Sequence, residues 1–269
     1  MTIDTMGLAG DGDRAAAIAA GLSRAAGLLQ AGGLRVIVHG FDTLTIGAGT
    51  APKSRLERAP NLFDLASECE VVITAFATHA ALRAALIGSD DRPGLLGAMA
   101  PGTLIVDFTP GSPEECRKLA GALAGRAVGL VEAATSGSDD AIKSGTAEIL
   151  LGGFGEHIER LTPILQCLGT PARTGPQGSA RMVIGLKESV RAAYQLAVNE
   201  AACVAAAAGI SGELFGEPPL SETERAEFLR HVEQTIASAD ALGIETTMIA
   251  KAAEVLSGQT SERRPRVLN

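Results

Sequence analysis

Within the first 150 residues, short apolar runs alternate with alanine-rich stretches of helical character. This alternation constrains the fold more than any other feature of the chain. Strands are expected at 2–6, 35–38, 71–76, 103–107, 127–131 and 148–151. Helices are expected between them at 13–31, 61–68, 79–86, 113–124 and 154–167. Consecutive parallel strands need a crossover, and helical crossovers cover both faces of the sheet, so the pattern predicts a doubly wound α/β architecture. Ser112-Pro113-Glu114-Glu115 is a helix start, with a small cap, a proline in the first turn and acids at the positive end of the dipole.

After Gly175-Pro176-Gln177-Gly178 the character changes. Residues 179–208 contain one glycine, Gly185, and no proline, with apolar residues on all sides. One helix of roughly 45 Å is expected here, too apolar to stand alone in water. Further helices are expected near 221–242 and 246–257, and the polar end, 259–269, reads as frayed. The expected division is therefore an α/β domain over 1–176 and a small all-α domain over 177–269.

A formal net charge of −8 argues against a chain that coats nucleic acid or anionic membrane. Alanine, at 47 residues, accounts for much of the apolar content. The most apolar window, 192–210, contains Gln195, Asn199 and Glu200, so no membrane span is expected. Residues 1–12 lack a basic start and include Asp4 and Asp11, which does not fit a signal peptide. The four cysteines are scattered, as in a reducing cytoplasm, and the four histidines form no ligand pair, so no metal is expected.

Gly7-Leu8-Ala9-Gly10-Asp11-Gly12 follows the first expected strand and matches G-x-A-x-x-G, a variant of the dinucleotide fingerprint of Rossmann-type sheets. In that register Gly7 makes the turn, Ala9 lies against the pyrophosphate and Gly12 permits helix–sheet packing, with Gly10 and Asp11 between them. An ordinary glycine-rich turn is the competing reading. Asp42, after the second strand, suits the ribose hydroxyls of NAD, while Lys53 and Arg55 suit the 2′-phosphate of NADP. Asp42 lies 30 residues past Gly12, later than the usual spacing of about 20. NAD and NADP both stay open.

From Val71 to Gly153 the chain resembles the β-hydroxyacid dehydrogenase family, which includes 3-hydroxyisobutyrate dehydrogenase and is related to phosphogluconate dehydrogenase and the imine reductases. The resemblance runs through Val71-Val72-Ile73-Thr74, the stretch from Pro101 to Thr109 with Ser112-Pro113, and Glu132-Ala133-Ala134-Thr135-Ser136-Gly137-Ser138. It continues through Gly145-Thr146, Leu151-Gly152-Gly153 and Gly175-Pro176-x-Gly178. In all it extends over about residues 2–210. It implies that Thr109 and Ser112 neighbour the nicotinamide and that Ala77-Thr78 pass the adenosine and ribose side. It also implies that Thr135, Ser136 and Gly137 meet the substrate carboxylate, where a hydroxyl and successive N–H groups form an anion pocket. A polar turn is the competing reading of that segment.

Two departures stand out. The resembling family carries its catalytic lysine six residues past the last glycine of G-P-x-G, and here that position is Ile184. The asparagines that follow it correspond to Lys187 and Glu188. Imine reductases carry Asp or Tyr at the lysine position. Isoleucine donates no proton, so helix periodicity makes Lys187, one turn on, and Tyr194, further along that stripe with Arg191, the expected proton donors. A solvated charged patch is the competing reading. Second, the segment before the last helices is shorter than the family's, which trims the helical domain.

These readings lead to an expected cytoplasmic NAD(P)-dependent oxidoreductase acting on a small molecule. It would form a homodimer through the apolar long helix. The alternatives are an imine reductase-like enzyme and a dinucleotide-binding protein without catalysis.

Overall fold

The computed structural model describes residues 3–26, 35–40, 56–89, 91–136, 138–211 and 221–258. Two compact units divide the chain between Arg181 and Met182, inside the long helix rather than before it at residue 176.

The first unit opens with β1 (Thr5–Gly10), α1 (Gly12–Ala26), β2 (Arg35–His39) and β3 (Leu56–Arg58). It continues with α2 (Leu62–Ser67), β4 (Val71–Ala75), α3 (His79–Ile87) and a small hairpin of β5 (Gly88–Ser89) and β6 (Arg92–Pro93). Then come β7 (Leu104–Asp107), α4 (Pro113–Ala124), β8 (Gly129–Ser136) and α5 (Asp139–Ser144). The unit closes with β9 (Ala147–Gly153), α6 (Gly155–Leu165), β10 (Gly169–Gly175) and the first residues of α7 (Ser179–Ala207).

Eight strands form one sheet in the order β10-β9-β8-β7-β4-β1-β2-β3. From β3 to β8 every pairing is parallel, and strand order reverses direction between β1 and β4, as in doubly wound sheets. The doubly wound parallel sheet is as expected, with one antiparallel pairing at its edge. β8 pairs antiparallel with β9, and β10 runs parallel to β9, so the last two strands oppose the rest. The short α5 between β8 and β9 reverses the chain instead of carrying it across a face. Neither α5 nor β10 is among the sequence expectations, and β8 extends to Ser136.

Burial explains why the strands read as continuous apolar runs. One face of the sheet packs Met6, Leu8, Val71, Ile73 and Val106 against Ile18 and Leu22 of α1 and Leu161 and Leu165 of α6. The other face packs Ala9, Ile37, Val72 and Ile105 against Leu65 of α2, Leu82 and Leu86 of α3 and Leu119 and Leu123 of α4. With both faces covered, alternation along a strand separates two cores rather than core from water. α4 begins as expected, with a complete capping box between Ser112 and Glu115.

In the second unit, α7 packs with α8 (Glu222–Ala241) and α9 (Thr247–Ser257) around Ala192, Phe228, Val232 and Leu256. A Cβ on Gly185 would lie 3.1 Å from Thr235 Oγ1, so α7 and α8 pack closely there. The Ser189 hydroxyl bonds Gly185 O (2.8 Å) and Thr235 Oγ1 (2.9 Å) at this point. Among the described residues no helix is long and apolar enough to cross a membrane. None of their His, Cys, Asp and Glu side chains gather into a group able to hold a metal ion.

Gly7 offers a test of the packing on the α2 face. A Cβ there would lie 2.5 Å from Leu65 Cδ2 and 3.1 Å from Cys69 Sγ, both in a closed core. Gly7→Ala is expected to lower stability by about 1–3 kcal/mol through overpacking, read as a lower midpoint of urea unfolding.

Candidate active site

The first strand does not stop at Met6. It runs to Gly10, and the chain turns through Gly10, Asp11 and Gly12 into α1. This corrects the expected register of the glycine motif. Gly7 lies inside β1 against Leu65, and Ala9 is buried on the same face, so neither is at the turn. The motif reads instead as Gly10-x-Gly12-x-x-Ala15, the G-x-G-x-x-A form. A Cβ on Gly10 would lie 2.2 Å from Ala75 O and 2.9 Å from Ala15 Cβ, so only glycine fits where β1, β4 and α1 converge. Gly12 has φ +69°, and a Cβ there would meet nothing within 4 Å. The turn therefore combines a left-handed glycine, an open face and the N-terminus of a fifteen-residue helix. These are the ingredients of a phosphate cradle.

The turn stands where strand order reverses. Asp11 N donates to Ala75 O at 3.0 Å, and Asp11 Oδ1 accepts from Ala77 N at 2.7 Å. The carboxylate thus straps the β1–α1 turn to the β4–α3 turn. Ala77 and Thr78 are exposed beside it, and Thr78 Oγ1 caps α3 by accepting from Ala81 N at 3.1 Å. Asp42 lies outside the described residues, as do Lys53 and Arg55.

The loop after β7 is anchored from below. Asp107, fully buried, accepts from Thr74 Oγ1 (2.9 Å) and Thr109 N (3.0 Å) through Oδ1. Its Oδ2 lies 2.6 Å from Arg181 Nη2, which also donates to Thr109 O at 2.8 Å. Arg181 Nη1 donates to Glu132 Oε2 at 3.1 Å, and Glu132 Oε1 accepts Ala180 N at 2.8 Å. Burial works against the guanidinium charge, yet Asp107, Cys116 and Glu132 together hold its pKa above the ordinary arginine value. Burial likewise pushes the neighbouring Cys116 thiol up to about 12. Thr109 is 2% exposed, and its hydroxyl accepts from Phe76 N at 3.2 Å. It braces the loop from inside, and Ser112 caps α4 at the loop's far end.

Thr135 and Ser136 end β8, with Ser136 in register with Glu148 of β9 rather than in a free loop. Gly137 lies outside the described residues. Thr135 Oγ1 accepts a hydrogen bond from Arg14 Nη1, and Arg14 Nε lies 2.6 Å from Asp139 Oδ1. The glycine turn and the end of β8 are thus brought together by Arg14, which the sequence reading did not single out. The only available signal was its place inside the motif, visible once the register is moved to Gly10.

Lys187 and Tyr194 belong to the second unit, on exposed positions of α7, with Tyr194 63% exposed. Ile184 is half-buried. Arg191, on the same stripe, lies 3.9 Å from Glu188 and 5.3 Å from the ring centroid of Phe228. Burial raises the Glu188 carboxyl above the usual carboxylate range, with Glu227 adding to the shift and Arg191 opposing it.

A glycine turn at the switch point of a doubly wound sheet defines the dinucleotide-binding class of α/β proteins. The pattern of the family described as "NAD binding domain of 6-phosphogluconate dehydrogenase" matches residues 21–185, and the chain belongs to that family. The match begins within α1, so the glycine turn itself is identified by its geometry.

Among curated proteins, the chain is 28% identical over 213 residues to one named probable 3-hydroxyisobutyrate dehydrogenase-like 3, mitochondrial, of Arabidopsis thaliana. It is 24% identical over 198 residues to a NAD-dependent L-serine dehydrogenase of Pseudomonas aeruginosa. Each match covers 73% of this chain, and they cover 65% and 64% of those relatives. The chain thus spans just under two thirds of their length. In fold it is similar to a Mycobacterium tuberculosis 3-hydroxyisobutyrate dehydrogenase with L-serine, at TM-score 0.73 and 18% identity. That likeness covers 96% of this chain and 94% of the other. It is also similar to an imine reductase of Bacillus cereus, at TM-score 0.66 and 16% identity, over 95% and 93% of the two chains.

The Arg181 cluster carries a stability test. Arg181→Met leaves Asp107 and Glu132 buried without their cation, which is expected to cost about 3–5 kcal/mol. Chemical denaturation of the variant beside the parent protein measures it.

Proposed function

We propose that the protein is an NAD(P)-dependent oxidoreductase that transfers a hydride between nicotinamide and a small hydroxyacid-like or related carbonyl substrate. The observation that carries the reading is the Gly10–Gly12 turn, which opens α1 beside the end of β8 in a chain of this family. Gly10 lets β1, β4 and α1 close, and Gly12 lets the cofactor's pyrophosphate approach the N–H groups of the first turn of α1. Asp11 holds the neighbouring β4–α3 turn, so Ala77 and Thr78 line the ribose side. The Thr109–Ser112 loop, braced by Arg181, backs the nicotinamide. Thr135, Ser136 and Gly137 orient the substrate.

When bound, the nicotinamide supplies or accepts the hydride. The protein's share is to hold the reacting carbon in place and exchange a proton with its oxygen or nitrogen. Lys187 and Tyr194 are the proposed proton donors, because Ile184 carries no proton to give. Imine reduction is the second reading, since an iminium carbon demands less proton donation from the protein, although Ile184 is neither the Asp nor the Tyr that those enzymes carry there. Ile184 and the shortened helical domain favour the third, a dinucleotide binder without catalysis.

Calorimetric titration of NADH and NADPH tests the cofactor site. One of them is expected to bind, and Gly12→Asp to weaken it at least ~10-fold. Absence of binding by both removes the dehydrogenase and reductase readings. With the bound cofactor, turnover of 3-hydroxyisobutyrate or L-serine, against a cyclic imine, separates hydroxyacid from imine chemistry. Loss of a general acid is expected to lower kcat by about 10²–10⁴. A Lys187→Ala, Tyr194→Phe double variant with unchanged turnover excludes both donors.

A homodimer is part of the proposal. Leu186 and Val190 lie four residues apart on α7, and both are exposed, as is Val204 further along. One α7 stripe is thus left facing water, and a second copy of the chain is the occupant we propose for it. Sedimentation at micromolar concentration is expected to show a dimer that Val190→Glu dissociates.

A further inference from the structure

We propose that Arg14 is the anion-binding residue of the substrate subsite, selecting substrates that carry a carboxylate. The inference rests on the oxidoreductase reading above and adds the residue that determines specificity.

Arg14 stands two positions past Gly12, in the first turn of α1. Its guanidinium leaves that turn and reaches the end of β8, donating to Thr135 Oγ1 and meeting Asp139 across 2.6 Å. One cation thus joins the cofactor turn to the segment that resembles the family's substrate loop. Helix preference does not put it there, because a positive charge in the first turn opposes the helix dipole.

Its pairing leaves capacity unused. A guanidinium carries five N–H donors in a planar fork. Thr135 takes Nη1, Nε pairs with Asp139 Oδ1 as an ion contact without hydrogen-bond geometry, and Nη2 has no partner among the described residues. The Arg14 side chain is 37% exposed, so its outer edge is open to an incoming ligand.

Three other cations of the first unit are committed. Lys143 is held by Asp140 at 2.8 Å. Arg24 donates to the carbonyls of Lys143 and Cys167. Arg181 is buried between Asp107 and Glu132. A carboxylate lying beside Thr135 and Ser136 therefore meets Arg14 as its counter-charge, bonded through the open edge of the fork. Asp139 is the internal competitor that keeps the arginine extended until the substrate arrives.

The test compares one probe in two charge states. The cofactor affinity of the parent protein is measured first, and absence of binding overturns the oxidoreductase reading itself. At saturating reduced cofactor, which cannot accept a hydride from the alcohol, 3-hydroxyisobutyrate and its uncharged methyl ester are then titrated calorimetrically. The parent protein is expected to prefer the carboxylate. Arg14→Met is expected to weaken the carboxylate by about 10–100-fold and to leave the ester and the cofactor within about twofold. Arg14→Lys retains part of the preference, and Asp139→Asn strengthens carboxylate binding by freeing the fork. Equal weakening of both probes would show a brace between α1 and α5 and overturn the proposal. So would an Arg14→Met variant that still discriminates, or a cofactor-loaded parent that binds neither probe. Should Arg14→Met fail to fold, the opposite shifts expected of Arg14→Lys and Asp139→Asn decide the same question.

Discussion

A buried arginine between two buried carboxylates organises the carboxyl end of β7 and the middle of β8. Removing Arg181, Asp107 and Glu132 from water costs several kcal/mol per ion, and this is recovered only with close pairing and filled hydrogen-bonding positions. The observed network meets that condition. Asp107 is bonded by Thr74 and Thr109 as well as Arg181, and Glu132 by the N–H of Ala180. The cost of leaving any member alone makes the arrangement a register device. The start of α7 sits where its third residue can reach both strands, and Thr109 O is held by the same guanidinium. The loop proposed to back the nicotinamide thus inherits its shape from a cluster beneath it. Cys116, next to that cluster, is kept a neutral thiol by its burial.

The glycine turn obeys a different constraint, which is space. β1 and β4 approach so closely at Gly10 that the carbonyl of Ala75 occupies the place of a side chain, and Ala15 fills the gap from α1. Gly12, one step later, needs glycine for its backbone angle and leaves an open face in front of the helix. Asp11 between them spends its carboxylate on the Ala77 N–H, which ties the two turns at the switch point together. Arg14 follows and crosses to β8. Six consecutive residues therefore connect the proposed phosphate, ribose and substrate positions. This compactness lets a family-level resemblance be translated into a specific arrangement of groups.

Much of this fold is legible in the sequence, because strands covered on both faces leave apolar runs and crossover helices leave periodic ones. α4, with its Ser112–Glu115 capping box, is fully encoded by local chemistry. The register of the glycine motif is less so. Two overlapping glycine patterns exist in residues 7–15, and choosing between them requires knowing where β1 ends, which pairing with β2 and β4 decides. The antiparallel turn to β9 is hidden for a similar reason. Apolar alternation looks the same whichever way a strand runs, and α5 is too short to mark its role by periodicity. The partnership of Arg181 with Asp107 and Glu132 spans 74 and 49 residues, beyond any local pattern.

What the sequence determined by itself is the class of architecture and the break before an apolar helix. Each of these is written in composition or periodicity. The tertiary structure alone decided that Gly10 and Gly12, not Gly7 and Ala9, form the turn, and that Arg14 meets Thr135 and Asp139. It also decided that Arg181 is an internal counter-ion rather than a surface charge. Those outcomes depend on which strands become neighbours, because a side chain's chemistry is set by the groups that pairing brings within a few ångströms of it.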